Sequence, residues 1–272
     1  MTGHSAASWL FVPGSRPERF ARAAAAGAHE VIVDLEDAVA PAAKEAARTA
    51  AARWLTDGGR AWVRVNAVDT PWHGDDLAAL ARRPGLRGLV VPKAEDPDVL
   101  RRIAESLPDG SGVLALVESA AGVLRAPAVA GCPGVSGLAF GSIDYALDID
   151  AAETDDALRY ARSTLVVAAR AAGLPPPVDG VTVDTRDTGA VRSAAARARE
   201  LGFGGKLCIH PLQVPTVNTV FAPAPADVAW ARRVLAAAAD ADADAGVLSV
   251  DGRMVDRPVV ERARRLVDRA GG

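Results

Sequence analysis

Residues 89–119 read LVVPKAEDPDVLRRIAESLPDGSGVLALVES, and the pattern of the whole chain is visible in them. Leu89–Val91 is a short apolar run of β type that closes on the polar group Pro92-Lys93-Ala94-Glu95. Pro97–Leu107 follows as an amphipathic segment of helical period, and Val113–Val117 is a second apolar run, closing on Glu118-Ser119. Two wholly apolar runs joined by an amphipathic helix describe a βαβ unit, with parallel strands and a right-handed crossover.

The same alternation extends in both directions. Further runs lie at Trp9–Val12, Val31–Leu35, Ala61–Val65, Gly137–Phe140, Val178–Val183 and Lys206–Ile209. Helical stretches lie at Glu18–Ala26, Ala42–Leu55, Asp75–Arg82, Leu158–Ala172 and Thr188–Leu201. Eight repeats in 272 residues predict an α/β chain closed into a (β/α)8 TIM barrel. An open doubly wound sheet is the alternative, but no Gly-rich dinucleotide fingerprint follows the first run. The seventh run is preceded by Pro175, Pro176 and Pro177 and interrupted by Asp179 and Gly180. The barrel is expected over 1–222, and 223–272 as a C-terminal helical extension and lid belonging to the same domain. That extension reads as a helix at Ala226–Ala239, an acidic Ala-Asp repeat at Asp240–Asp244, the segment Gly246–Val250, a turn at Asp251–Gly252 and a last helix from Pro258. It is surplus to barrel closure, which suggests a lid or a subunit contact.

A formal charge of −3 with no basic stripe argues against nucleic-acid binding. No run has signal-peptide form or the length to span a bilayer, so a cytoplasmic chain with no membrane role is expected. Cys132 and Cys208 stand far apart in apolar surroundings and read as two packed thiols in a reducing compartment. Arginine is abundant and lysine almost absent, which reads as compositional bias.

Barrels place their chemistry at the C-terminal ends of the strands. Here those ends carry Pro13-Gly14-Ser15-Arg16, Asp34-Leu35-Glu36-Asp37, Arg64-Val65-Asn66, Pro92-Lys93, Glu118-Ser119, Gly141-Ser142-Ile143-Asp144 and Cys208-Ile209-His210-Pro211. Glu118 and Asp144 follow neighbouring strands, so their carboxylates can share one ion. Oxygen ligands suit Mg²⁺, which needs only one or two carboxylates and keeps water. The plainer alternative pairs each with an arginine, Arg64 above all. Arg64 suits a carboxylate or a developing enolate, or else an ion pair with Glu36 or Asp37. The Asp34–Asp37 cluster follows a buried strand directly and is not expected to be mere solvated charge. For His210 the ring is expected to be a satisfied core group and the backbone a ligand contact. Lys93 reads as a structural ion pair rather than a Schiff-base lysine.

Taken together, Leu10–Phe20, Val33–Val39, Arg64–Asn66, Val91–Glu95, Val117–Ala120, Gly141–Asp144, Cys208–Pro211 and Asp251–Asp256 resemble the citrate lyase β-subunit-like proteins of the HpcH/HpaI aldolase/citrate lyase family. The blocks run in the family's order over essentially the whole chain. The resemblance implies a barrel of the phosphoenolpyruvate/pyruvate-binding kind, with Mg²⁺ on Glu118 and Asp144. It implies a carbon–carbon lyase related to malyl-CoA and citramalyl-CoA lyases, splitting a 3-hydroxyacyl-CoA into an acyl-CoA and a 2-keto acid. Arg64 would bind the keto-acid part, and Arg64, Glu36 and Asp37 are expected among the catalytic residues. Phe11 and Arg16 would lie on the acyl-CoA side, and Gly141, Ser142, Ile209 and His210 would line the substrate. Asp256, with Asp251 close by, would be an acid/base group supplied by a neighbouring subunit of a homotrimer or hexamer. A citrate lyase β subunit using an acyl-carrier thioester and a class II pyruvate aldolase are the alternatives.

Overall fold

The computed structural model describes residues 6–240 and 248–271. Eight parallel strands close in sequence order into a barrel: β1 (Ser8–Pro13), β2 (Glu30–Asp34), β3 (Ala61–Arg64), β4 (Leu86–Val91), β5 (Gly112–Val117), β6 (Val135–Phe140), β7 (Val178–Asp179) and β8 (Gly205–Cys208). The helices along this part of the chain are α1 (Phe20–Ala24), α2 (Lys44–Thr56), α3 (His73–Leu80), α4 (Pro97–Glu105), α5 (Ala120–Leu124), α6 (Ala126–Ala130), α7 (Ser142–Asp148), α8 (Asp155–Ala171), α9 (Thr188–Leu201) and α10 (Val214–Phe221).

Side chains alternate across each strand, so every strand feeds two cores. Val33, Val63, Leu89, Val113 and Phe140 face outward into the layer shared with the helices. Trp9, Ile32, Trp62, Val90, Leu114, Leu116, Val178 and Leu207 fill the bore. The tilted rings of Trp9 and Trp62, with centroids 5.3 Å apart, help plug it. The inward series continues past the top of the apolar plug. By the same period of two, Trp9 leads to Phe11, Ile32 to Asp34, Trp62 to Arg64, and Leu116 to Glu118.

The seventh strand is shorter than the Val178–Val183 run suggests, pairing only at Val178 and Asp179. A buried ion cluster reinforces it. Lys206 Nζ donates to Asp179 Oδ2 (3.2 Å) and to the Gly180 carbonyl, while Arg162 Nε donates to Asp179 Oδ1 (2.9 Å). Beyond Asp179 the carbonyls turn to side chains: that of Thr182 accepts from Gln213 Nε2 at 2.8 Å. After β6, Ser142-Ile143-Asp144 opens α7.

Residues 6–221 form one compact unit and the described residues from Ala222 on a second. In the second, α11 (Pro225–Asp240) and α12 (Arg257–Ala270) pack with a hairpin of β9 (Leu248–Val250) and β10 (Arg253–Val255). Its small core contains Ala231, Val234, Val250, Val255, Ala263 and Leu266. The hairpin turn is Asp251–Gly252, with φ of +52° and +73°, the left-handed pair that a two-residue hairpin loop requires. Of the expected acidic repeat, residues 241–244 lie outside the described residues, as do 246 and 247 of the segment after it.

Candidate active site at the barrel mouth

Asp34 ends β2 facing inward and is almost fully buried. Its two oxygens accept from the backbone N–H groups of Glu36 (2.9 Å) and Ala38 (3.2 Å), which folds the following loop over the barrel rim. The same carboxylate takes a two-point grip on Arg64 at the end of β3: Nε at 2.7 Å and Nη2 at 2.8 Å. Glu36 Oε2 lies 2.8 Å from Arg64 Nη1 but off the N–H direction, so the contact is ionic and Oε2 accepts no hydrogen bond. The Phe11 ring packs on the guanidinium at 5.0 Å. Arg64 is therefore held chiefly by Asp34, which the sequence reading left out of its ion pair. Asp37 reaches Nη1 only at 3.5 Å and its side chain is 69% exposed, so that residue is solvated charge after all.

Beneath the rim lies a buried polar network. Lys44 Nζ donates to the carbonyls of Leu35 (2.7 Å) and Glu36 (2.8 Å) and to Asn66 Oδ1. Asn66 donates through its backbone and side chain to Asp76 Oδ2 (2.9 and 2.6 Å), and Asp76 Oδ1 accepts from Arg48 Nε at 2.7 Å. His73 Nδ1 meets the Asn66 carbonyl at 2.8 Å. The β2 and β3 loops thus share one hydrogen-bonded floor, which keeps Glu36 and Arg64 in register.

Glu118, just past β5, is 4% exposed. Its Oε1 accepts from the Lys93 backbone N–H at 2.8 Å. Lys93 adopts φ +48°, a left-handed conformation costly for a residue with a Cβ, and this turn accompanies the N–H bond to the carboxylate. Lys93 forms no ion pair among the described residues, contrary to expectation, though its charge favours ionised Glu36. Burial pushes the Glu118 carboxyl up to about 8, with further upward pressure from Glu36 and Asp144. Burial likewise pushes Glu36 up to about 7, Arg64 opposing the rise. A Cβ on Gly141 would lie 2.5 Å from Glu118 Oε2, so the β6 end must be glycine to admit that side chain. Asp144, half-buried in the first turn of α7, makes no hydrogen bond to a described residue. Neither Glu118 nor Asp144 pairs with Arg64. A desolvated carboxylate beside a second, unpaired one suits a hard divalent cation. Among the described residues no third His, Cys, Asp or Glu joins them, so such an ion would keep water or substrate oxygens in its shell.

Other positions are more constrained than the sequence suggested. The Gly141 N–H donates to the Val117 carbonyl at 3.0 Å and is not free to contact a substrate. Ser142 is buried and its Oγ bonds Glu153 at 3.1 Å. The backbone N–H groups of Ile209 and His210 both point to Gln213 Oε1 (2.9 and 3.3 Å). The His210 ring is half-buried, and its Nδ1 accepts from the Leu212 N–H at 3.2 Å, capping a 3₁₀ turn rather than filling the core. Arg16 is exposed and lies 3.9 Å from Glu18. Asp256, in the second unit, caps α12 through Val259 N at 3.2 Å. Asp251 is engaged by Arg233 at 2.8 Å.

Lys44, Asp76, Arg48 and Gln213 escaped the sequence reading. One signal was present: the chain has three lysines, Lys44, Lys93 and Lys206. Two are buried donors in polar networks, and the third shapes the Glu118 site. Each of the three lysines therefore has a defined structural place. Cys132 and Cys208 are free, buried thiols, and no described helix is long and apolar enough to cross a membrane.

The HpcH/HpaI aldolase/citrate lyase model matches residues 7–211. A citrate lyase subunit beta-like protein of Deinococcus radiodurans is 39% identical, over 96% of this chain and 95% of its own length. A (3S)-malyl-CoA thioesterase of Cereibacter sphaeroides is 35% identical over 98% and 95%. The crystal structure of CitE from Mycobacterium tuberculosis, in complex with magnesium, acetoacetate and coenzyme A, superposes with a TM-score of 0.85 at 37% identity. That likeness covers 99% of this chain and 100% of the CitE chain. A matched model over most of the chain, relatives of nearly equal length and a shared eight-stranded barrel agree: this chain is an enzyme and a member of the HpcH/HpaI aldolase/citrate lyase family.

Proposed function

We propose that this chain is a Mg²⁺-dependent lyase that splits a short 3-hydroxyacyl-CoA of malyl-CoA or citramalyl-CoA type into an acyl-CoA and a 2-keto acid, or runs the reverse condensation. The observation that carries the reading is the pairing at one mouth of a desolvated Glu118, an unpaired Asp144 and an Arg64 locked by Asp34. Glu118 and Asp144 are the residues that would hold Mg²⁺. Bound there, the ion would take up the oxygens of the 2-hydroxy-acid end and lower the pKa of its hydroxyl.

Arg64 has N–H groups left over after Asp34 has taken two, and its fork suits the keto-acid carboxylate. Glu36, with a carboxyl near neutrality, is the nearest candidate to accept the hydroxyl proton. As that proton leaves, the carbon–carbon bond breaks and its electron pair passes to the thioester fragment as an enolate. A proton delivered to the enolate carbon completes the acyl-CoA, and we assign that delivery to Asp256 of a neighbouring subunit. Asp251 is the weaker choice, since Arg233 already neutralises it. Phe11 and Arg16 supply an apolar face and a cation toward the acyl-CoA, while Ile209, 41% exposed, gives a further apolar wall.

The relative named a malyl-CoA thioesterase favours one competing outcome on the same substrate, hydrolysis of the thioester. Mass spectrometry of the products from (3S)-malyl-CoA separates the two. Acetyl-CoA with glyoxylate is expected. Free CoA with malate and no glyoxylate would refute cleavage, and turnover confined to acyl-carrier thioesters would place the chain with citrate lyase β subunits.

A further inference from the structure

The opposite end of the barrel holds a second charged feature that the lyase reaction does not use. Arg60 precedes β3, Arg82 and Arg83 precede β4, and Arg87 lies within β4. All four line one open cleft of about 650 Å³, together with Trp62 and the 108–112 turn before β5. Because the strands are parallel, starts of strands share one face, and the Asp34, Arg64 and Glu118 site lies at the other.

The cleft's charge is unbalanced. Arg87 pairs with Glu30 at 2.7 Å. Arg83 spends its Nε on the Ala79 carbonyl at 2.7 Å. Arg60 and Arg82 make no ion pair or hydrogen bond with any described residue, and both are exposed. Four guanidinium groups line the cleft with one carboxylate, Asp109, and Arg87 is paired outside the lining with Glu30, leaving an excess of 4 − 2 = 2 positive charges over these groups. The Nε1–H of Trp62, on the cleft wall, is buried and engages Glu30, whose charged form it favours. Close packing shapes the inner wall. A Cβ on Gly88 would strike both Trp62 and the Gly112 carbonyl, each at 2.3 Å. Several guanidinium groups lining one cleft suit oxygens carried on a phosphate better than a single carboxylate.

We propose that this cleft on the N-terminal face binds a small phosphate-bearing anion of at least two negative charges, at a site separate from the catalytic mouth. The test is calorimetric titration of the full chain with inorganic pyrophosphate in metal-free buffer. One site per chain is expected. Loss of each free guanidinium should weaken it roughly tenfold, so the Arg60→Ser/Arg82→Ser double variant binds about 100-fold more weakly. The control Arg16→Ser, at the mouth, should bind like the parent. Thermal melting verifies that the double variant folds, and Arg82→Glu alone serves if it does not. Absence of binding to the parent, binding that survives both substitutions, loss with Arg16→Ser, or tighter binding of succinate than of pyrophosphate would each overturn the proposal. A failure here leaves the lyase reading intact, since none of these four arginines belongs to the mouth.

Discussion

Arg64 shows what the mouth demands of a single side chain. Asp34 takes Nε and Nη2, Phe11 lies against the face of the guanidinium, and Glu36 sits at Nη1. Only a planar, permanently charged fork can satisfy Asp34 at two points and still present N–H groups to a bound carboxylate. A lysine keeps the charge and loses that geometry. Arg64→Lys should therefore lower kcat/KM by about 100-fold or more, with the melting temperature little changed; unchanged kinetics would reduce Arg64 to a structural role. The same logic explains the lysines. Lys44 and Lys206 each use a compact ammonium to gather several oxygens in a buried space, which a guanidinium would overfill. Glu118 is the complementary case: a carboxylate that burial discourages from ionising unless a cation compensates it.

At the scale of elements, strands were read more reliably from sequence than helices. Each apolar run contains one side chain for the bore and one for the helix layer in turn, so no polar gap breaks it, and the runs at β1 to β6 and β8 are visible directly. The end of β7 was not, because its last residues are held by side chains, Lys206 and Gln213, from elsewhere in the chain. The opening of α7 was missed because glycine occupies its N-cap and offers no capping oxygen to announce it. The core of the site was legible, since Arg64, Glu36, Glu118 and Asp144 all follow strand ends. The Lys44–Asn66–Asp76–Arg48 floor was not, because α2 and α3 must pack before those residues meet. The ion cluster at β7 predicts a measurable dependence. Its ion partners hold the Asp179 carboxyl below the usual carboxylate range despite burial, so its stabilisation is present above pH 3.8 and fades on acidification. Asp179→Ala strands two cations, one fully buried, and should cost about 3–5 kcal/mol in denaturant unfolding at pH 7. A cost under about 1 kcal/mol would mean the cluster does not secure the short strand.

At the scale of the whole molecule, the second unit carries Asp256. Asp256 caps α12, and that bond alone is worth about 0.5–2 kcal/mol to the helix. Asparagine caps as well as aspartate but cannot exchange a proton, so Asp256→Asn separates capping from catalysis. Turnover should fall steeply while melting barely moves. If the chain assembles as the proposed homotrimer or hexamer, mixing Asp256→Asn chains with Arg64→Ala chains should restore part of the activity, because some interfaces carry both intact residues. An inactive variant that no mixing rescues would place Asp256 in its own chain's site, and a fully active, monomeric protein would remove the subunit contribution altogether.

The most direct test of the lyase reading is Mg²⁺ dependence at the mouth, measured as cleavage of (3S)-malyl-CoA by the parent, Glu118→Gln and Asp144→Asn across a Mg²⁺ titration. Burial raises the Glu118 carboxyl to about 8, so Mg²⁺ must displace its proton, and half-saturation should require less metal as pH rises from 6 toward 8. Activity in the parent should follow Mg²⁺ and vanish in chelator, and both variants should stay folded and inactive at every Mg²⁺ concentration. Full turnover by the parent in chelator, or by either variant, would contradict it.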